Sequence, residues 1–195
     1  MEEKELSGEE SFKLINRMIY EAKGYFYESG LGPIVYGFSA LICSILSYIR
    51  DDKIISLPFS PFYFFIPVFF IQAFIQFKEE KRKKAKTFTD EAIDYVWIGF
   101  FLSVIATFCG SLVDAGYIII TIILILIGMA SFITGSLSKF RYMIFAGILC
   151  LIIAAVSFFI QNKNIYFMLA AAAALVWIIP GFMMRAYFKK QNHAE

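Results

Sequence analysis

The sequence predicts an all-α membrane protein: six transmembrane helices in a compact bundle, preceded by an N-terminal amphipathic helix at the cytosolic interface. Three observations predict it. Six apolar runs occur, each close to the roughly 20 residues that a spanning helix needs. The hydrophobic fraction is 59%, above the roughly 45–50% of a soluble domain, and mean hydropathy is +0.69. Lys and Arg are also distributed unevenly between alternate connections, as retention of positive loops on the cytosolic side requires. Phe alone occurs 23 times; a soluble interior of this size would not hold so much apolar side chain, and lipid removes that limit.

Residues 1–30 read as a polar helix with one apolar stripe. Ser7-Gly8-Glu9-Glu10 has the form of a capping box, in which hydroxyl and carboxylate satisfy each other's backbone N–H groups. Leu14, Ile15, Met18, Ile19, Ala22 and Phe26 then recur at helical spacing. The stripe either packs on the cytosolic ends of the bundle or lies in the inner membrane interface. Several acids in this stretch do not fit a basic, then apolar, cleavable signal peptide.

The transmembrane domain covers 31–188, with spans at 31–49, 58–77, 92–113, 116–137, 140–160 and 165–184, and leaves 189–195 as a cytosolic tail. Helices are the required form, because backbone amides in hydrocarbon must be satisfied within the segment. Between the second and third spans lies the most charged stretch of the chain: Lys78, Lys81, Arg82, Lys83, Lys84 and Lys86. Placing it inside puts both termini in the cytosol. It leaves only Arg50, Lys53 and Lys163 outside, from a total of 18 Lys and Arg. The short connections force antiparallel neighbours. The net charge of +2 comes with no basic folded face, so nucleic acid is not expected as a partner.

The polar residues inside the spans are few. No Asp, Glu, Lys or Arg falls mid-span, whereas ion-coupled transporters and proton pumps normally keep an ionisable group there. Asp94 comes nearest, at the inner start of the third span. Gln72 and Gln76 share one face of the second span, as glue between helices or as part of a polar path. Gly99, Ser103, Thr107 and Ser111 form a four-residue ridge on the third span, which would let another helix approach closely. Ser131 and Gly135 repeat that spacing, and Ala170 to Ala174 give the sixth span a narrow surface. A kink is expected at Pro67, whose missing N–H leaves the Tyr63 carbonyl without its donor. Pro180-Gly181 is expected to break the last helix.

No enzyme constellation is found. The only His is His193, next to the terminus, so there is no Ser/His/Asp set and no metal cluster. Cys43, Cys109 and Cys150 each lie in an apolar run without CxxC spacing and read as small buried hydrophobes. No cofactor is expected.

Glu10-Ser11-Phe12-Lys13-Leu14-Ile15-Asn16-Arg17-Met18-Ile19-Tyr20-Glu21-Ala22-Lys23, together with the stretch from Gly147 to Gly181, resembles an uncharacterised family of small bacterial six-span membrane proteins of the kind seen in Bacteroidota. The resemblance implies a bacterial inner-membrane location and no activity. The layout of amphipathic helix, six spans and charged loop also looks like the permease of some ABC exporters, although this chain is shorter and its last outer loop too small for re-entrant helices.

The function expected from the sequence is a non-enzymatic integral membrane protein. It would act through its cytosolic surface, with the basic stretch 78–86 contacting anionic lipid or a cytosolic protein. The alternative is a small-solute transporter, channel or ABC-type permease subunit, built as a homo-oligomer, with Gln72, Gln76, Asp94, Ser103 and Thr107 along its path.

Overall fold

The computed structural model describes residues 30–54, 58–80, 88–111 and 116–192. All regular structure among them is helical. In chain order the helices are α1 (Leu31–Asp51), a 3-10 turn (Pro61–Phe64) running into α2 (Phe65–Glu80), α3 (Phe88–Ser111), α4 (Ile118–Leu137), α5 (Arg141–Ser157), α6 (Ile165–Ala173), a π-helical turn (Ala174–Ile178), and α7 (Ile179–Asn192). The expected amphipathic helix 1–30, the basic stretch 81–86 and the end of the tail lie outside the described residues.

Four helices are long and apolar enough to cross a membrane: Leu31–Asp51, Phe88–Phe108, Ile118–Leu137 and the continuous Ile165–Tyr187. Pro61–Gln72 and Arg141–Ser157 are apolar but shorter. The outer surface carries many large apolar side chains. Phe70, Phe74 and Phe145 are 67%, 69% and 67% exposed, a surface suited to hydrocarbon and not to water. The protein is therefore an all-helical membrane protein.

The core lies where α4, α5 and α6 meet α1. Leu124, Ile127, Cys150, Ile165, Ala172 and Val176 are buried there. The α4–α5 hairpin is the tightest pair. A Cβ on Gly147 would stand 2.6 Å from the Phe132 backbone nitrogen, so only glycine lets the two backbones meet. The hairpin turns within Ser138–Phe140. Lys139 is left-handed at φ 55, and Phe140 N–H reaches back to the Gly135 carbonyl at 2.9 Å, the closure of a Schellman motif. The sequence-derived pattern Ser131/Gly135 thus does face a neighbour. At Gly99 the ridge on α3 does not: nothing among the described residues lies within 4 Å of a Cβ built there. Small residues permit close approach, and here no described helix takes the opportunity.

Two expected helix breaks are absent. Pro67 causes no mid-helix kink, because α2 starts only at Phe65. The proline falls in the first turn, where a backbone N–H has no helical partner to lose. At Pro180 the helix continues, and the chain absorbs the proline one turn earlier. Ile179 N–H bonds the Ala174 carbonyl, five residues back. In that register the Leu175 carbonyl would take its bond from residue 180, which as proline has none to give. Tyr142 Oη on α5 supplies it instead, at 3.2 Å.

Cys43 and Cys150 are buried free thiols, donating to the Pro61 carbonyl at 3.3 Å and the Leu124 carbonyl at 3.4 Å. They behave as the small hydrophobes expected.

Candidate functional site

Helix α3 approaches α4 closely but stands off from α1 and α2. The space left between these helices is not filled. It forms a cavity of about 490 Å³ inside the bundle, within the range of pockets for drug-sized ligands. Its walls are aromatic and aliphatic. Phe100, Phe101 and Trp97 come from α3, Tyr36 from α1, Phe65 from α2, and Trp177 from the π-helical turn.

The aromatic rings brace one another. Tyr36 lies 6.4 Å from Phe65, 5.9 Å from Phe101 and 6.0 Å from Trp177, centroid to centroid. Trp97 meets Phe100 edge-on at 5.4 Å. Such offset and edge contacts are the preferred aromatic geometries. Both tryptophans of the chain therefore wall this space.

One end of the cavity is polar. It is formed by Arg50, Asp51, Ser60 and Tyr117, where α1 ends and α4 and α6 begin. Asp51 ties these three ends together. Its Oδ2 accepts hydrogen bonds from Tyr117 Oη and Tyr166 Oη, each at 3.1 Å. Its Oδ1 accepts from Arg50 Nε at 3.3 Å and Nη2 at 3.2 Å. The carboxylate is thus saturated, and its charge is balanced by the neighbouring guanidinium. Just outside, Lys163 pairs with Asp52 and stands over the Tyr48 ring at 5.3 Å. The Asp52 carboxylate holds the Lys163 ammonium above the usual lysine range.

At the opposite end a second, smaller cavity of about 70 Å³ is lined by Gln72, Asp94, Met143 and Met184 among others. Of the path residues read from the sequence whose side chains are described, only Gln72 and Asp94 meet in this way. Gln72 is 8% exposed and packs on Gly32, where a Cβ would come within 2.4 Å of its Nε2. Its Oε1 has no hydrogen-bond partner among the described residues. Asp94, by contrast, is exposed. Ser103 and Thr107 line neither cavity. Their hydroxyls donate to their own helix, to the Gly99 and Ser103 carbonyls, both at 2.8 Å, as hydroxyls in apolar helices commonly do. The side chains of Gln76 and Lys78, like residues 81–86, lie outside the description.

The sequence reading missed the Asp51 clasp and the aromatic cavity. Asp51 carried a signal in retrospect: an acid directly beside Arg50 at the end of an apolar run. No group of three or more metal-ligating side chains occurs among the described residues.

No protein-family model, curated protein or solved structure matches this chain.

Proposed function

We propose that this protein is a non-enzymatic integral membrane protein whose helix bundle binds a small, neutral, largely apolar molecule, as the binding chamber of a carrier or channel. The observation that carries this reading is the aromatic cavity of about 490 Å³ between α1, α3 and α4. Aromatic walls favour a ligand with flat or unsaturated apolar faces. The saturation of Asp51 by Arg50, Tyr117 and Tyr166 argues against a charged ligand, since no unpaired charge among the described wall residues awaits one. The ligand's polar edge, if it has one, would meet the tyrosine hydroxyls.

The finer architecture belongs to the same proposal. Six helices cross the bilayer, the two shorter ones included, in a bacterial inner membrane of the kind the Bacteroidota resemblance implies. Both termini are cytosolic, and residues 1–30 form the interfacial helix. The positive-residue asymmetry supports this orientation and places Asp51 at the exterior face. A second role rests on the sequence alone: the cationic run from Lys78 to Lys86 would hold anionic lipid headgroups or a cytosolic protein, by about 1 kcal/mol per charge near the surface.

The test is to purify the protein in mild detergent, extract it with organic solvent and identify the apolar molecules released. The same extraction is made from Ala40→Phe, which fills the cavity from α1. A neutral compound carried by the parent and absent from the variant supports the reading. Identical extracts count against it.

A further inference from the structure

The two cavities share a wall. Tyr36, Trp97, Phe101 and Trp177 line both of them. One cavity runs to the Asp51 end of the bundle; the other reaches Asp94, near the start of α3 at the opposite end. These four aromatic residues stand between them. We propose that the two cavities are successive chambers of one path across the bundle, and that this aromatic layer is its gate, moved by the π-helical turn that carries Trp177. The proposal rests on reading the larger cavity as a binding chamber.

Three observations support it. The first is the placement of Trp177 on Ala174–Ile178, the single π-helical turn among the described residues. A π-turn holds one extra residue, and its return to α register turns the residues beyond it by about 100°. Such a shift would carry the Trp177 side chain to a second position. The second is a gap in the backbone bonding at the end of the turn. Pro180 removes the bond that would close it on Leu175, and the substitute is one hydroxyl, Tyr142 Oη at 3.2 Å, from another helix.

The third concerns unpaired polar atoms beside the layer. Tyr36 Oη and Gln72 Oε1 are buried without a hydrogen-bond partner among the described residues. Buried polar groups are normally paired, and each exception calls for an explanation. A gate that admits water or ligand when open supplies one: the closed state carries the cost of two unpaired groups, and opening relieves it.

Thiol labelling tests the path. Cys43, Cys109 and Cys150 are first replaced by alanine. Single cysteines are then placed at Ile123→Cys in the larger cavity and Gln72→Cys in the smaller one. A membrane-impermeant methanethiosulfonate is applied to intact cells and to inside-out vesicles, with Asn162→Cys reporting which preparation exposes the Asp51 end. From that end, Ile123→Cys should label and Gln72→Cys should not. Adding Trp177→Ala, or Phe101→Ala should that variant fail to fold, should make Gln72→Cys label from the same end. If Ile123→Cys does not label, the chamber reading itself fails. If Ile123→Cys labels but Gln72→Cys labels equally with the aromatic layer intact, there is no gate. If Gln72→Cys stays unlabelled in the folded Trp177→Ala or Phe101→Ala variants, the chambers are not one path.

Discussion

Tyr142 Oη donates to the Leu175 carbonyl at 3.2 Å, and Leu175 stands five residues before the proline that cannot serve it. A hydroxyl on α5 thus completes the backbone bonding of a different helix. Tyr142→Phe should destabilise the protein by about 1 kcal/mol, the scale of an inter-helix hydrogen bond in a membrane protein. Pro180→Ala restores an N–H at that position. In its background, Tyr142→Phe should cost markedly less. Equilibrium unfolding of the four proteins of this cycle in detergent measures the coupling.

Asp51 joins the ends of α1, α4 and α6 through two tyrosine hydroxyls, each at 3.1 Å. Asp51→Ala should cost about 2 kcal/mol, because it removes both bonds and leaves Arg50 unpaired. Tyr117→Phe and Tyr166→Phe should cost about 1 kcal/mol each, and much less once Asp51 is alanine. The same unfolding assay reads all of them. Equal losses in both backgrounds would mean that the carboxylate does not hold the hydroxyls.

Glycine substitutions should separate packed from unpacked small residues. Gly147→Ala drives a methyl into the Phe132 backbone, with contacts at 2.6 and 2.8 Å. Neither backbone yields easily, so a loss of about 2–3 kcal/mol is expected, the scale of overpacking. Gly99→Ala meets nothing within 4 Å and replaces a poor helix former by the best one. It should be neutral or stabilising in a thermal unfolding scan. A large loss at Gly99 would show that α3 packs there on a partner, such as a second copy of the chain.

Ala40→Phe should raise thermal stability. Ala40 is 2% exposed and lines the cavity, so the new ring enters existing space. Filling a cavity commonly adds about 0.5–2 kcal/mol. A fall in the melting temperature would mean that the space beside Ala40 is too narrow for the ring.

Much of the scaffold was legible in the sequence because hydrocarbon imposes a length and a composition. The run 31–49 became Leu31–Asp51, and 116–137 became Ile118–Leu137. The site was less legible, for reasons of distance and of emptiness. Asp51 meets Tyr117 and Tyr166 across 66 and 115 positions, separations at which no local spacing rule operates. A cavity is set by what neighbouring helices fail to fill, so no aromatic residue of α3 marks it until α1 and α4 are placed beside them. The ridge of Gly99, Ser103 and Thr107 shows the converse. Its spacing states what could pack, and the hydroxyls instead bond their own helix. Pro67 was misread because its effect depends on where the helix starts, and the 3-10 turn at Pro61 moved that start.

The most direct test of the central claim uses the two tryptophans, Trp97 and Trp177, both in the cavity wall. Titrating the detergent-solubilised protein with a neutral brominated aromatic, 1-bromonaphthalene, should quench their emission saturably, and Ala40→Phe should abolish the saturable part. Quenching that rises linearly without saturation, and equally in parent and variant, would contradict a ligand-binding cavity.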